Sequence, residues 1–354
     1  MVAVSAGRDS VVARRDAARM TGKECTVPTD VQADPQNQVR NGGGTTRLAP
    51  SPTGVLHLGN ARTFLVNWAM ARRHGWRIVL RIEDLDGPRV KEGAIEQTVD
   101  LLRWLGMDWD EGPVVQSLDL SPYIDAASRL AGVGAIYPCE LTRAQIEAAA
   151  SAPQEGAHEI PFPRSMRPTI LARTFEDTGS NWRFATPDET VCFVDGFCGE
   201  QSHRPCDTVG DFVVWTKRGQ PSYQLAVVVD DARQGVTQVV RGNDLLDSAA
   251  RQILLYRALG AGPPPAYTHL PLVVGADGRR LAKRHGDTRL DAYRAAGVRA
   301  ERVIGWVAAT CAVGGSAGAA KEISAAEFRD ALDLNSIPRT NVVFTAEADS
   351  WLKS

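Results

Sequence analysis

The sequence predicts an α/β protein: a parallel sheet split by an insertion domain and followed by a short, mainly helical C-terminal region. Three observations predict it. A strand–loop–helix–strand unit runs from Thr46 to Ile82, a second set of apolar runs and a helical stretch fills 224–274, and the segment between them follows neither pattern. With 354 residues the chain accommodates two domains, or one large domain with an insertion, at ~100–200 residues per domain.

Residues 1–44 have no sustained apolar period and close with Asn41-Gly42-Gly43-Gly44, which reads as a disordered extension ending in a flexible joint. Thr46–Ala49 is a short strand and Pro50–Gly54 a loop. From Leu58 to His74, Leu58, Ala61, Leu65, Trp68, Ala69 and Arg72 recur at helical spacing, and Gly75 marks the stop. Arg77–Ile82 reads as a buried strand leading into Glu83-Asp84-Leu85-Asp86. This βαβ unit requires a right-handed crossover between parallel strands and defines a first half at 45–118. The irregular, Cys- and Pro-dotted stretch 119–208 is the insertion. The second half, 209–275, holds strands at Gln224–Val229 and Val236–Val240, a helix at Leu246–Leu259 closed by Gly260, and a strand at Leu270–Val274. Residues 276–354 comprise a basic loop and a helical tail.

Composition narrows the function classes. Hydrophobic residues make up 44% and charged residues 23%, an ordinary globular balance. No run approaches the ~20 apolar residues of a membrane span. The N-terminal arginines are interrupted by Asp9 and Asp16, with no apolar stretch behind them, so a signal peptide is not expected, and the irregularly spaced cysteines suit reduced thiols in the cytoplasm. At a net charge of −2, any nucleic-acid partner must meet a local basic patch. The cysteines, at 25, 139, 192, 198, 206 and 311, include no CxxC pair.

Chemistry concentrates at two loops. Pro50-Ser-Pro-Thr-Gly-Val-Leu-His57-Leu-Gly59-Asn60 joins the first strand to its helix. Ligands of open α/β sheets bind beyond the carboxyl ends of strands, and helix N-termini attract phosphates. Gly59, without a Cβ, admits a flat base or ribose, while His57 and Asn60 offer polar groups to a triphosphate; alone, the latter two would simply cap the helix. Further on, Arg279-Arg-Leu-Ala282-Lys283-Arg284-His-Gly-Asp287 follows the last strand, and its cations suit phosphate charge; alone, such a run would simply be a solvated face.

Together and in this order, the two loops resemble the HIGH and KMSKS signatures of class I aminoacyl-tRNA synthetases. The words Arg47-Leu-Ala-Pro-Ser-Pro-Thr-Gly, Arg81-Ile-Glu-Asp-Leu-Asp86, Tyr223-Gln-Leu-Ala-Val-Val-Val-Asp-Asp231 and Gly235-Val-Thr-Gln-Val-Val-Arg241-Gly resemble the glutamyl-tRNA synthetase group, over about residues 46–294. The resemblance implies a Rossmann-like class I synthetase nucleotide-binding fold, with ATP and Mg²⁺ as cosubstrate and cofactor. It implies catalytic roles for His57, Asn60 and Lys283, and an ATP site of His57, Gly59, Asn60, Lys283 and Arg284. It places glutamate at Arg47, Leu48, Ala49, Pro50, Ser51, Glu83, Tyr223 and Arg241. Glutamate carries two carboxylates and an ammonium, so two guanidiniums, one carboxylate and a hydroxyl suit it; the bland alternative is a structural ion pair such as Arg47–Glu83. Ala282 and Arg280 stand where the signature has its serine and first lysine.

The chain ends some 70 residues after Lys283, where full synthetases continue into an anticodon-reading domain. It therefore resembles the short members of the group, which activate L-glutamate without tRNA and transfer it to queuosine at the wobble position of tRNA(Asp). The implied partners are L-glutamate, ATP and the anticodon arm of that tRNA, bound by a monomer with no membrane contact. A tRNA-dependent synthetase fragment, a silent RNA- or partner-binding paralogue and another adenylate-forming enzyme are the alternatives. Of the group's insertion zinc site only Cys139 remains, with Leu141, Phe162 and Met166 at the other positions, so no zinc is expected. Arg279, Arg280, Arg284 and Arg289 are candidates for an RNA-facing strip, and Trp182 or Trp215 for base stacking.

Overall fold

The first parallel pair sets the frame. β1 (Thr45–Leu48) lies beside β2 (Arg77–Ile82), with Arg47 opposite Val79 and Leu48 opposite Leu80, and α1 (Leu58–His74) makes the crossover. Gly75, at φ 66°, ends α1 in the left-handed conformation that glycine adopts without a Cβ penalty. α2 (Ala94–Trp104) then leads to β3 (Glu111–Val115), parallel to β2 on its far side. This computed structural model describes residues 43–149, 160–279, 281, 287–313 and 320–354; the extension expected at 1–44 lies outside them up to residue 42.

The insertion begins with α3 (Ser121–Gly132), β4 (Ile136–Cys139) and α4 (Arg143–Ala149). β5 (Asn181–Phe184) follows, then a hairpin of β6 (Val191–Asp195) and β7 (Gly199–His203), α5 (Pro205–Thr208), β8 (Val213–Thr216) and β9 (Gln220–Pro221). Strands β4-β5-β8-β9 form one antiparallel sheet. That sheet carries residues on both sides of 208, so the boundary expected there falls inside it.

Tyr223–Arg233 is a helix, α6, where the Val-rich run 224–229 was expected to be a strand. The β preference of valine loses to tertiary packing: Leu225, Val228, Val229 and Ala232 recur at helical spacing and all join one core. β10 (Gln238–Gly242), α7 (Leu246–Leu259) and β11 (Ala266–Leu270) follow, with β10 and β11 parallel. The run expected as a single strand at Leu270–Val274 divides, because Pro271 has no N–H for a ladder. Leu270 ends β11, and β12 (Val273–Val274) pairs instead with β13 (Val342–Val343). The tail is helical as expected: α8 (Leu290–Ala295), α9 (Ala300–Thr310), α10 (Ala325–Ala331) and α11 (Ala346–Lys353).

β10 stands on the open side of β1. Thr237 donates its N–H to Thr45 O at 2.9 Å, and Thr45 N–H bonds Thr237 Oγ1 at 3.0 Å. The three-stranded sheet β3-β2-β1 and the pair β10-β11 therefore lie side by side, β10 next to β1, and the direction of winding reverses between them, the position where open α/β sheets bind ligands. Strand alternation gives this sheet two unlike faces. Leu48, Ile78, Leu80, Ile82, Val240 and Leu270 point into an apolar core with α1 and the tail helices. By the same register, Arg47, Arg81, Arg241 and His269 point the other way, toward α6 and α7.

The tail is fitted closely to that core. A Cβ added at Gly305 of α9 would lie 1.8 Å from Lys321 O. Gly305→Ala is expected to cost about 1–3 kcal/mol of stability, read by chemical denaturation. An unchanged unfolding midpoint would show that the Lys321 segment shifts freely.

Candidate active site

Each guanidinium on the charged face has a different environment. Arg81 is fully buried, and an unpaired charge there would be prohibitively costly. Its Nη1 donates to Asp231 Oδ1 at 2.7 Å and to Gln234 Oε1 at 2.8 Å, while Nη2 and Nε reach Glu83 Oε1 at 3.1 and 3.3 Å. Burial opposes the charged form of Arg81, but Asp231, Glu83 and Asp230 outweigh it and raise its pKa. Asp230 Oδ2 in turn accepts from Gln116 Nε2 at 2.7 Å and from Tyr123 OH at 2.8 Å.

Arg47 is less tightly held. It is 4% exposed, its Nε lies 3.5 Å from Asp231 Oδ1, and Nη1 reaches Val240 O at 3.5 Å. Nε makes no hydrogen bond despite its burial. The Arg47–Glu83 pair weighed as the bland alternative does not form as a direct bridge among the described residues; Asp231 serves Arg47 and Arg81 serves Glu83. Burial pushes the Glu83 carboxyl up, with Arg81 and Arg47 opposing.

Arg241, near the carboxyl end of β10, donates through Nε to His269 Nε2 at 2.9 Å. Its Nη1 lies 3.5 Å from Tyr223 OH and Nη2 3.3 Å from Leu245 O, with the Tyr267 ring 5.3 Å away. Tyr223 is the first residue of α6 rather than of a strand, and with 38% of its surface exposed it stands at the mouth. Burial raises the pKa of its hydroxyl, which stays protonated. His269 Nδ1 lies 2.6 Å from Asp195 Oδ2, and both residues are buried.

The remaining expected glutamate contacts are mixed. Leu48 sends its side chain into the apolar core, leaving only its backbone for the site. Pro50 O accepts the Glu83 N–H at 3.0 Å, tying the loop after Ala49 to the end of β2. Ser51 is exposed and its hydroxyl lies 3.3 Å from Thr53 Oγ1, not against the arginines.

At the start of α1, His57 and Asn60 do form a capping box. His57 Nδ1 accepts the Gly59 N–H at 3.1 Å, and Asn60 Oδ1 accepts the His57 N–H at 3.0 Å. The capping orients the imidazole over Gly59, where a Cβ would lie 2.9 Å from His57 Cε1. The nearest demand for glycine is thus the histidine ring itself. Leu58 N–H bonds Thr288 O at 3.1 Å and Leu290 N–H bonds Leu56 O at 2.8 Å, so the chain just after the basic loop pairs with the loop before α1. Arg280, Ala282, Lys283 and Arg284 lie outside the described residues. Of the RNA-strip candidates, Arg289 is paired with Asp287 and Asp291. Trp182 and Trp215 are 2% and 1% exposed and pack edge-on against Phe175, so neither presents a stacking face.

Reading the sequence by motif missed Arg81, Asp230, Asp231, His269 and Asp195 as site-forming residues. One signal was present: a lone arginine inside the apolar strand Ile-Val-Leu-Arg-Ile demands a buried counter-charge.

The residues at the zinc positions do not fit the metal. Cys139 and Phe162 are buried in one apolar cluster with Tyr137 and Ile146, and Leu141 and Met166 pack against it. Arg183 lies over the Phe162 ring at 4.2 Å. One thiol and three side chains with no strong donor cannot supply a tetrahedral site, and side-chain packing holds this part of the insertion instead. Elemental analysis of the purified protein is expected to give far less than one zinc per chain; a stoichiometric zinc would contradict this. In the charge cluster, Arg81→Met is expected to destabilise the fold by about 3–5 kcal/mol in urea unfolding, because it strands buried Asp231.

Comparison with known proteins places this geometry. The family described as tRNA synthetases class I (E and Q), catalytic domain, matches residues 45–347. The glutamyl-Q tRNA(Asp) synthetase of Symbiobacterium thermophilum is 48% identical over 85% of this chain and 96% of its own length. That of Rhodopirellula baltica is 46% identical over 74% of this chain and 83% of its own. The glutamate–tRNA ligase of Thermodesulfovibrio yellowstonii is 36% identical over 87% of this chain, but over 65% of its own length. Among solved structures, a glutamate tRNA ligase from Elizabethkingia meningosepticum in complex with its amino acid superposes with a TM-score of 0.70 at 29% identity, over 87% of this chain and 68% of that one. The chain belongs to the class I tRNA synthetases of the E and Q group, among the glutamyl-Q tRNA(Asp) synthetases.

Proposed function

We propose that this chain activates L-glutamate with ATP to glutamyl-AMP, without tRNA, and transfers the glutamate to the cyclopentene-diol of queuosine at the wobble position of tRNA(Asp). The observation that carries the reading is the convergence of Arg47 and Arg241, from adjacent strands, at the point where the sheet reverses its winding, beside Glu83. Two under-bonded guanidiniums beside a carboxylate match the charges of glutamate. The similarity to glutamyl-Q tRNA(Asp) synthetases supports the acceptor.

ATP would lie with its phosphates at the N-terminus of α1, where the helix dipole and unsatisfied N–H groups favour anions and His57 and Asn60 are fixed by the cap. The α-carboxylate of glutamate attacks the α-phosphorus and pyrophosphate leaves, with Lys283 and Arg284 assigned to the leaving charge. When bound with ATP, Mg²⁺ would supply further neutralisation of the phosphate charge. A diol oxygen of queuosine then attacks the carbonyl of the mixed anhydride and AMP leaves. No covalent protein intermediate is needed, so the side chains act by positioning and charge. We read the enzyme as a cytoplasmic monomer; among the described residues no helix is long and apolar enough to cross a membrane.

Glutamate-dependent ATP–pyrophosphate exchange with Mg²⁺ and no tRNA is the direct test. Exchange with glutamate alone among amino acids is expected, followed by glutamate transfer to queuosine-containing tRNA(Asp). Exchange that appears only on addition of tRNA would favour a glutamate–tRNA ligase activity, the reading suggested by the 36% identical relative. Arg241→Ala should lower kcat/KM for glutamate by about 100-fold or more while ATP still binds, since it leaves a substrate carboxylate unpaired.

A further inference from the structure

We infer that Asp195 and His269 are positioning residues for Arg241: a buried carboxylate–imidazole pair that dictates the imidazole tautomer and so aims the guanidinium into the amino-acid pocket. The inference rests on Arg241 binding a substrate carboxylate. Neither residue lies in the two loops that carry the synthetase signatures. Asp195 ends β6 in the insertion hairpin, and His269 lies on β11, opposite Arg241 in the strand register.

Each bond dictates the next. Asp195 Oδ1 accepts three backbone N–H groups, from Phe197 at 2.9 Å, Cys198 at 2.7 Å and His269 at 3.1 Å, which immobilise the carboxylate. Burial would raise this carboxyl, but those bonds and His269 hold it below its usual range, so it is an ionised acceptor. Oδ2, 2.6 Å from His269 Nδ1, therefore requires the proton on Nδ1. That leaves the lone pair on Nε2, which accepts the Arg241 Nε–H at 2.9 Å. The imidazole must stay neutral to do so, and its burial together with the nearby Arg241 charge lowers its pKa accordingly.

This arrangement has a consequence for binding. A carboxylate placed directly on Arg241 would neutralise the guanidinium and compete with the substrate's own carboxylate. A neutral imidazole holds Nε without competing, and keeps the negative charge one ring away. Tyr223 OH and Leu245 O restrain the terminal nitrogens at longer range, 3.5 and 3.3 Å. The Tyr267 ring, stacked on His269 at 5.9 Å, supports the assembly from beside.

The test is ATP–pyrophosphate exchange by the full chain, with KM for glutamate and for ATP measured separately and a thermal melt for every variant. His269→Leu should raise KM for glutamate by about 10-fold or more, the loss expected for a charged hydrogen bond, with KM for ATP unchanged within about twofold. His269→Gln, whose Oε1 can accept from Nε–H, should recover most of that loss. Asp195→Asn turns an amide donor toward Nδ1, forces the imidazole proton onto Nε2 against Arg241, and should reproduce the His269→Leu effect with almost no change in volume. Should His269→Leu fail to fold, the contrast between Asp195→Asn and His269→Gln decides alone. Equal loss in those two, KM for glutamate unchanged in Asp195→Asn, or parallel loss for both substrates would overturn the assignment. A wild-type protein lacking glutamate-dependent exchange would instead count against the functional reading.

Discussion

One face of a parallel sheet, buried and carrying three arginines, is the constraint around which the rest of this protein is arranged. Arg47, Arg81 and Arg241 sit on three different strands but share one side by strand alternation. Removing three guanidiniums from water is tolerable only if carboxylates follow them in. Helix α6 brings Asp230 and Asp231, the end of β2 brings Glu83, and Gln116 and Tyr123 complete the hydrogen bonding of Asp230. The charges are not shared evenly. Arg81 is saturated and serves as structure, whereas Arg47 keeps a buried Nε without a hydrogen bond and Arg241 is held chiefly by a neutral ring. The two under-compensated cations flank the position where the sheet reverses its winding.

The other face supplies the opposite property. Leu48, Ile78, Leu80, Ile82, Val240 and Leu270 form a continuous apolar surface that α1 and the tail helices cover. Burying α1 against that surface holds its N-terminus at the mouth of the site, with the capping box adding the local alignment. The tail contributes through β13 pairing with β12, and through the chain at Thr288–Leu290, which hydrogen-bonds the loop before α1. Packing on one face thereby fixes the start of α1, with His57 and Asn60, beside the other.

The insertion is part of the site as well as an interruption of the sheet. Its β6–β7 hairpin lies against β11, where Gly196 N–H bonds Tyr267 O at 2.8 Å, and the turn delivers Asp195 beneath Arg241. Farther out, the cluster of Cys139, Leu141, Phe162 and Met166 joins segments that a metal would otherwise join. Close approach there leaves no room for a side chain at Gly210, whose Cβ would lie 2.0 Å from Phe162 O.

Period and punctuation made much of this legible in advance. The first βαβ unit, α1 with its glycine stop, α7 and the helical tail all depend on local pattern, and the family words singled out Arg47, Glu83, Tyr223 and Arg241, which the fold gathers around the charged face. What local pattern cannot convey is where a segment is buried. The Val-rich run became α6 because only a helix sends Leu225 and Val228 into the core while turning Asp231 to Arg81, a requirement set by residues about 150 positions away. The division at Pro271, the Asp231–Arg47 contact, and the Asp195–His269 pair behind Arg241 are of the same kind. Sequence by itself determined which charges and which periods were available. Tertiary structure decided which charges meet, because the cost of a buried ion is settled only by the partners that folding brings beside it.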